Sequence, residues 1–179
     1  YKEDSPTNPQ GVYGNSKLKG EAAIQASDCK YLIIRTAWVY SEYGNNFLKT
    51  MLQLGADHDE LSIVGDQIGC PTYAQDIAKS IVSILFFLDV KGSSSGIYHY
   101  CGDEPLSWYD FAHNIFLEAE EQELKTPSFI KSISTADYLT PAVRPAYSVL
   151  DCSKIESCFD VTRSDWRDGI KIVIDRLKC

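Results

Sequence analysis

At 179 residues, 44% hydrophobic and 23% charged, the chain is long enough to bury a core and ordinary in composition for a globular protein. A formal charge of −8 and a pI near 4.8 argue against nucleic acid as a partner, because phosphate binding needs a basic surface. Six cysteines form no CxxC pair and three histidines stand at no metal-ligand spacing, so no metal site is expected and the cysteines read as reduced and scattered.

A polar segment with two prolines, residues 1–10, reads as a loop, and a helix follows from about Val12 to Ser27 or Asp28. The run at residues 31–40 is apolar and β-branched, the pattern of a buried parallel strand. Asn45 or Asn46 then caps a helix over residues 47–54. Residues 61–64 alternate as a short strand and lead into a loop, residues 65–72, marked by glycine and proline. From Ala74 to Leu88 the apolar residues recur with helical period, which predicts a buried helix. Residues 92–96 form a surface connection and residues 97–101 a strand.

Ser107 caps a helix from Trp108 to about Glu121, with Phe111, Ile115 and Phe116 in the core and an acidic, solvated end. Residues 129–133 are a strand and residues 135–138 a turn of helix. Pro141 and Pro145 bracket an extended stretch that carries Arg144. Ser153 opens a short helix, and Ser164 caps a last one that runs to Leu177. The longest apolar run, residues 81–90, is too short to span a bilayer, and there is no signal peptide or Asn-x-Ser/Thr sequon, so a cytoplasmic location is expected.

The chemistry concentrates in Val12-Tyr13-Gly14-Asn15-Ser16-Lys17, which sets a tyrosine and a lysine four apart on one helix face. Free tyrosine, with a pKa of about 10, hardly exchanges its proton at neutral pH. A fixed cation beside it favours the phenolate and makes the phenol a usable general acid or base.

A helix-borne YxxxK followed by an apolar strand resembles the extended, sugar-nucleotide branch of the short-chain dehydrogenase/reductases. Arg35-Thr36-Ala37-Trp38-Val39-Tyr40, Gly44-Asn45-Asn46-Phe47, Asp66-Gln67-Ile68-Gly69-Cys70-Pro71-Thr72 and Arg144-Pro145 resemble, in order, the successive motifs of the dTDP-4-dehydrorhamnose reductase family. The resemblance implies an α/β fold: part of a doubly wound, Rossmann-like parallel sheet with a smaller substrate lobe. Residues 1–60 would be the tail of the dinucleotide-binding lobe and residues 61–179 mainly the sugar-nucleotide lobe, the two interleaved. It implies NADPH or NADH as cofactor and a dTDP-sugar as substrate.

Carried over residue by residue, Tyr13 is the proton donor to the sugar C4 oxygen, and Lys17 tunes it and holds the nicotinamide ribose. Thr36 and Ala37 pass close to the nicotinamide, at the strand end where ligands gather. Trp38 flanks the deoxysugar, Asn46 and Gln67 hydrogen-bond the nucleotide or sugar, and Arg144 pairs with the diphosphate.

The family's Gly-rich dinucleotide fingerprint and its catalytic serine or threonine do not occur in these residues. The chain is therefore expected to be the C-terminal portion of a longer protein and inactive alone. Its first strand, lacking neighbours, would offer bare edges to a second copy, which implies a homodimer. The regulatory beta subunit of methionine adenosyltransferase keeps YxxxK without catalysis and has a segment like Leu150-Asp151-Cys152-Ser153-Lys154. Trp38 and Gly44-Asn45-Asn46-Phe47 favour the reductase, and the order of motifs favours it over sugar-nucleotide epimerases and dehydratases of the same fold.

Overall fold

The computed structural model describes residues 1–91, 95–138 and 144–178. In chain order the elements are α1 (Val12–Gln25), β1 (Leu32–Arg35), β2 (Val39–Tyr40), α2 (Phe47–Asp57), β3 (Glu60–Val64), β4 (Ile68–Gly69) and β5 (Thr72–Tyr73). There follow α3 (Ala74–Lys91), β6 (Gly96–His99), β7 (Leu106–Ser107), α4 (Trp108–Glu121), β8 (Phe129–Ile133), a 3₁₀ turn (Thr135–Asp137), α5 (Ser153–Phe159) and α6 (Trp166–Leu177).

Three strand pairs are parallel: β1 with β6, β2 with β5, and β3 with β8. A fourth, β4 with β7, is antiparallel. Each parallel pair joins strands separated by a helix, the signature of an α/β fold and the one expected from the sequence. Pairing of β6 with β1 carries the second half of the chain back onto the first.

The larger core forms where α2, α4 and α6 meet beneath β3. Ser107 and Asp110 close a capping box at the start of α4. From there Phe111, Ala112, Ile115, Phe116 and Ala119 turn inward at helical spacing, all buried. Full burial of a side chain such as Phe111 or Ile115 contributes roughly 1.5–3 kcal/mol. Gly55 of α2 lets Phe116 approach closely, for a Cβ there would stand 2.7 Å from the phenyl Cε1. A second cluster gathers Tyr98, Tyr100, Ile84, Ile155 and Phe159 with Cys70, Cys101 and Cys152.

Several expectations are corrected. Residues 31–40 are not one buried strand: β1 stops at Arg35, its residues only half-buried, and β2 restarts at Val39. The break comes at Trp38, whose φ of 47° lies in the left-handed region that a strand cannot contain. α3 is longer than predicted and buries little of its apolar surface. Ile84 is buried, but Ile81, Val82, Leu85 and Phe86 are exposed, Phe86 at 71%.

The loop at residues 65–72 contains β4 and enters β5, whose pairings the glycine and proline signals did not reveal. Asp165 rather than Ser164 caps α6, accepting from the Arg167 and Asp168 amides. Ser164 is instead buried, accepting from the Tyr73 amide and donating to Asp76. The cysteines are not all scattered, since the Cys101 and Cys152 sulfurs lie 3.5 Å apart. Residues 92–94 of the expected connection, and residues 139–143 with Pro141 and the start of the stretch it opens, lie outside the described residues. Among the described residues, no helix is long and apolar enough to cross a membrane.

Candidate functional site

α1 starts at Val12 behind an extended Gly11, and none of its residues is buried. Tyr13, Lys17 and Glu21 occupy successive turns of one side. Tyr13 is 77% exposed, and the Lys17 Nζ stands 5.3 Å from the centroid of its ring. Phenol and ammonium therefore share a face, as the spacing predicts. One turn further, Glu21 accepts two hydrogen bonds from Arg35, 2.9 Å from Nε and 2.6 Å from Nη2. This fork raises the guanidinium pKa above its ordinary value, with burial opposing. It also ties the Tyr13–Lys17 side of α1 to the last residue of β1.

The chain leaves β1 through Thr36 and Ala37. Thr36 is exposed, and the Ala37 carbonyl accepts from the buried Thr72 hydroxyl at 2.7 Å. The Thr72 amide donates to the Trp38 carbonyl at 3.1 Å. Beside Arg35, across the β1–β6 pair, His99 is buried. Burial lowers its pKa below 6.5; the Glu3 carboxylate partly offsets this and the Arg35 charge adds to it.

Trp38 holds a backbone conformation that costs a non-glycine residue roughly 1–2 kcal/mol. Its indole stacks on Trp108, with ring centroids 3.4 Å apart and planes within 7°. Trp108 donates from Nε1 to the Gln67 Oε1 at 3.2 Å, and Gln67 donates from Nε2 to the Thr135 hydroxyl at 3.0 Å. Thr135 in turn donates its hydroxyl and amide to the Asp66 carboxylate, which holds the Asp66 pKa below its usual value. Gln67 is 5% exposed, so these contacts take up its amide inside the fold.

Asn46 caps α2, accepting from the Lys49 amide while its own amide donates to the Ser41 carbonyl at 2.7 Å. It also lines a groove of about 760 Å³ with Lys49, Thr50, Lys125 and Lys178. That groove includes none of Tyr13, Trp38 or Arg144. Arg144 is exposed, directly after the undescribed stretch.

The structure thus sets Tyr13 and Lys17 together on one face of α1, which Glu21 ties to Arg35 of β1, and joins Trp38 to Gln67 through Trp108. Over its full length, residues 1–179, the chain matches the family described as the RmlD substrate binding domain. The chain belongs to this family. It is 46% identical over 173 residues to a dTDP-4-dehydrorhamnose reductase of Aggregatibacter actinomycetemcomitans, covering 96% of this chain and 59% of that one.

Among solved structures, a dTDP-4-dehydrorhamnose reductase of Clostridium acetobutylicum superposes with a TM-score of 0.87 at 38% identity, covering 100% of this chain and 60% of the other. A dTDP-4-dehydrorhamnose reductase of Bacillus anthracis in complex with NADP gives 0.84 at 33% identity, covering 98% and 59%. The RmlD-family chain thus spans about three fifths of the length of these relatives.

Reasoning on the sequence missed two participants. Trp108 read only as the first residue of a core helix, directly after the Ser107 cap, and no periodic signal marks its stack on Trp38. Glu21 carried no signal except its position, four residues after Lys17 on the same face.

Proposed function

We propose that the whole protein carrying this chain reduces the C4 ketone of dTDP-4-dehydro-6-deoxy-L-mannose to dTDP-L-rhamnose with NADPH. The supporting observation is the exposed Tyr13–Lys17 pair on α1, clamped through Glu21 to Arg35, the last residue of β1, which Thr36 and Ala37 follow. Tyr13 donates its proton to the C4 oxygen as the alkoxide forms, and the Lys17 ammonium stabilises the phenolate left behind.

The residues present fit the nicotinamide and ribose end of a dinucleotide in their chemistry: Tyr13, Lys17 and Thr36 are all exposed, and Ala37 follows Thr36 in the chain. When bound, the reduced nicotinamide supplies the hydride. Trp38 flanks the deoxysugar and Arg144 pairs with the diphosphate, while Asn46 braces the loop before α2 and Gln67 braces Trp108. Residues 1–60 act as part of a dinucleotide-binding lobe and residues 61–179 mainly as the sugar-nucleotide lobe. The return of β6 to β1 supports interleaving of the two. On the same reading the whole protein is a homodimer, with β1 already paired to β6 along one edge.

The test is NADPH oxidation by the whole protein on addition of the dTDP-4-keto sugar. Tyr13→Phe should lower kcat by roughly 10²–10⁴-fold with little change in KM for the sugar nucleotide. Undiminished turnover in Tyr13→Phe overturns the reading.

A further inference from the structure

We propose that Trp108 is the positioning residue of the sugar subsite. It covers one face of Trp38, so that only the opposite indole face is left for the deoxysugar. This rests on the reading above, in which Trp38 flanks the sugar.

Three observations converge on it. Trp38 sits in a left-handed backbone conformation, φ 47°, that few residues of its size adopt, and such outliers persist only where their surroundings hold them. Its indole edge rests on bare backbone: a Cβ at Gly69 would fall 2.6 Å from the indole Nε1. Its face lies flat on Trp108, 3.4 Å between centroids. Gly69 and Trp108 come from the paired strand β4 and the first residue of α4, so both sides of the seat belong to one frame.

Trp108 is itself immobilised from two directions. Phe47 packs against it at 4.5 Å between centroids, tilted by 41°. Its Nε1 donates to Gln67, which is held by Thr135 and, through it, by Asp66. A core tryptophan needs one hydrogen-bond partner, but this chain of donors runs on to the surface and fixes the plane of the ring as well as its place. Trp108 therefore acts on the sugar only through Trp38, and Gln67 only through Trp108.

The experiment titrates the whole protein carrying this chain by calorimetry with dTDP and with dTDP-L-rhamnose, whose affinity ratio isolates the sugar. Fluorine NMR of the protein labelled with 5-fluorotryptophan reports the Trp38 ring without ligand. Trp38→Leu should abolish the sugar increment and leave the affinity for dTDP. Trp108→Leu should cut the ratio roughly 2- to 10-fold, the worth of a stacked aromatic pair, and shift the Trp38 resonance. Trp108→Phe, which still stacks, should restore both, and Gly69→Ala should displace the same resonance.

If Trp38→Leu erases the ratio while Trp108→Leu leaves it and the resonance unchanged, the proposal is overturned and the functional reading stands. If the unmodified protein binds the two ligands equally, or Trp38→Leu leaves the ratio intact, the sugar subsite itself is refuted, and the proposal with it. Should Trp108→Leu fail to fold by circular dichroism, Trp108→Met fills the site with a more flexible apolar side chain, without the stack, and decides between the same outcomes.

Discussion

Glu21 grips Arg35 through both carboxylate oxygens, and this fork is a side-chain tie between α1 and β1. Helix α1 buries none of its residues, so its position depends on few contacts. The pair is only partly screened, at 22% and 16% side-chain exposure. Glu21→Gln should therefore cost about 1–2 kcal/mol, more than a surface ion pair and less than a fully buried one. Hydrogen exchange should show lost protection across residues 12–25 while β3 and β8 stay protected. Equal loss in both regions would refute a local clamp.

His99 should make stability depend on pH. Its folded pKa is lowered, chiefly by burial, below the 6.5 of an unfolded histidine. Below that value the unfolded chain takes up a proton that the folded chain resists, so the stabilisation is whole above about pH 6.5 and is lost as pH falls through the folded value. Urea midpoints measured from about pH 7.5 down to about pH 5.5 should fall, and His99→Asn should flatten the slope. An unchanged slope in that variant would assign the effect to other groups.

The cysteines should divide sharply by reactivity. Cys29 and Cys158 are exposed. The Cys152 contact favours the Cys101 thiolate, but the Cys70 contact and burial outweigh this and push its pKa up to about 12. The Cys101 contact and burial likewise raise Cys152. Brief alkylation of the folded chain, mapped by mass spectrometry, should modify Cys29 and Cys158 and spare Cys101 and Cys152 until denaturant is added. Rapid labelling of Cys101 in the folded chain would show that this cluster opens.

Gly169 should not tolerate a methyl group. Tyr40 donates its hydroxyl to the Trp166 carbonyl at 2.6 Å, and this buried contact lies against the Gly169 backbone. A Cβ there would also stand 2.9 Å from the Tyr73 Cβ. Gly169→Ala should cost about 1–3 kcal/mol by overpacking, seen as a lower denaturant midpoint with an unchanged slope. A gain in stability, as expected for alanine in an unobstructed helix, would mean that α6 shifts freely.

What the sequence by itself determined is local. Asn46 and Ser107 mark helix starts because each side chain accepts from the backbone three residues on, and α4 announces its buried side through Phe111, Ile115 and Phe116. The Tyr13–Lys17 pair is legible for the same reason, since helix geometry alone puts residues four apart on one face. The tertiary structure decided whatever joins distant segments. Thr72 pins Ala37 and Trp38 where a continuous strand was expected, and Trp38 finds Trp108 across the fold. Cys101 meets Cys152 only because the segment after β6 and the segment before α5 share one core. Such contacts carry no periodic signal, because they depend on which elements pack together rather than on the spacing within any one of them.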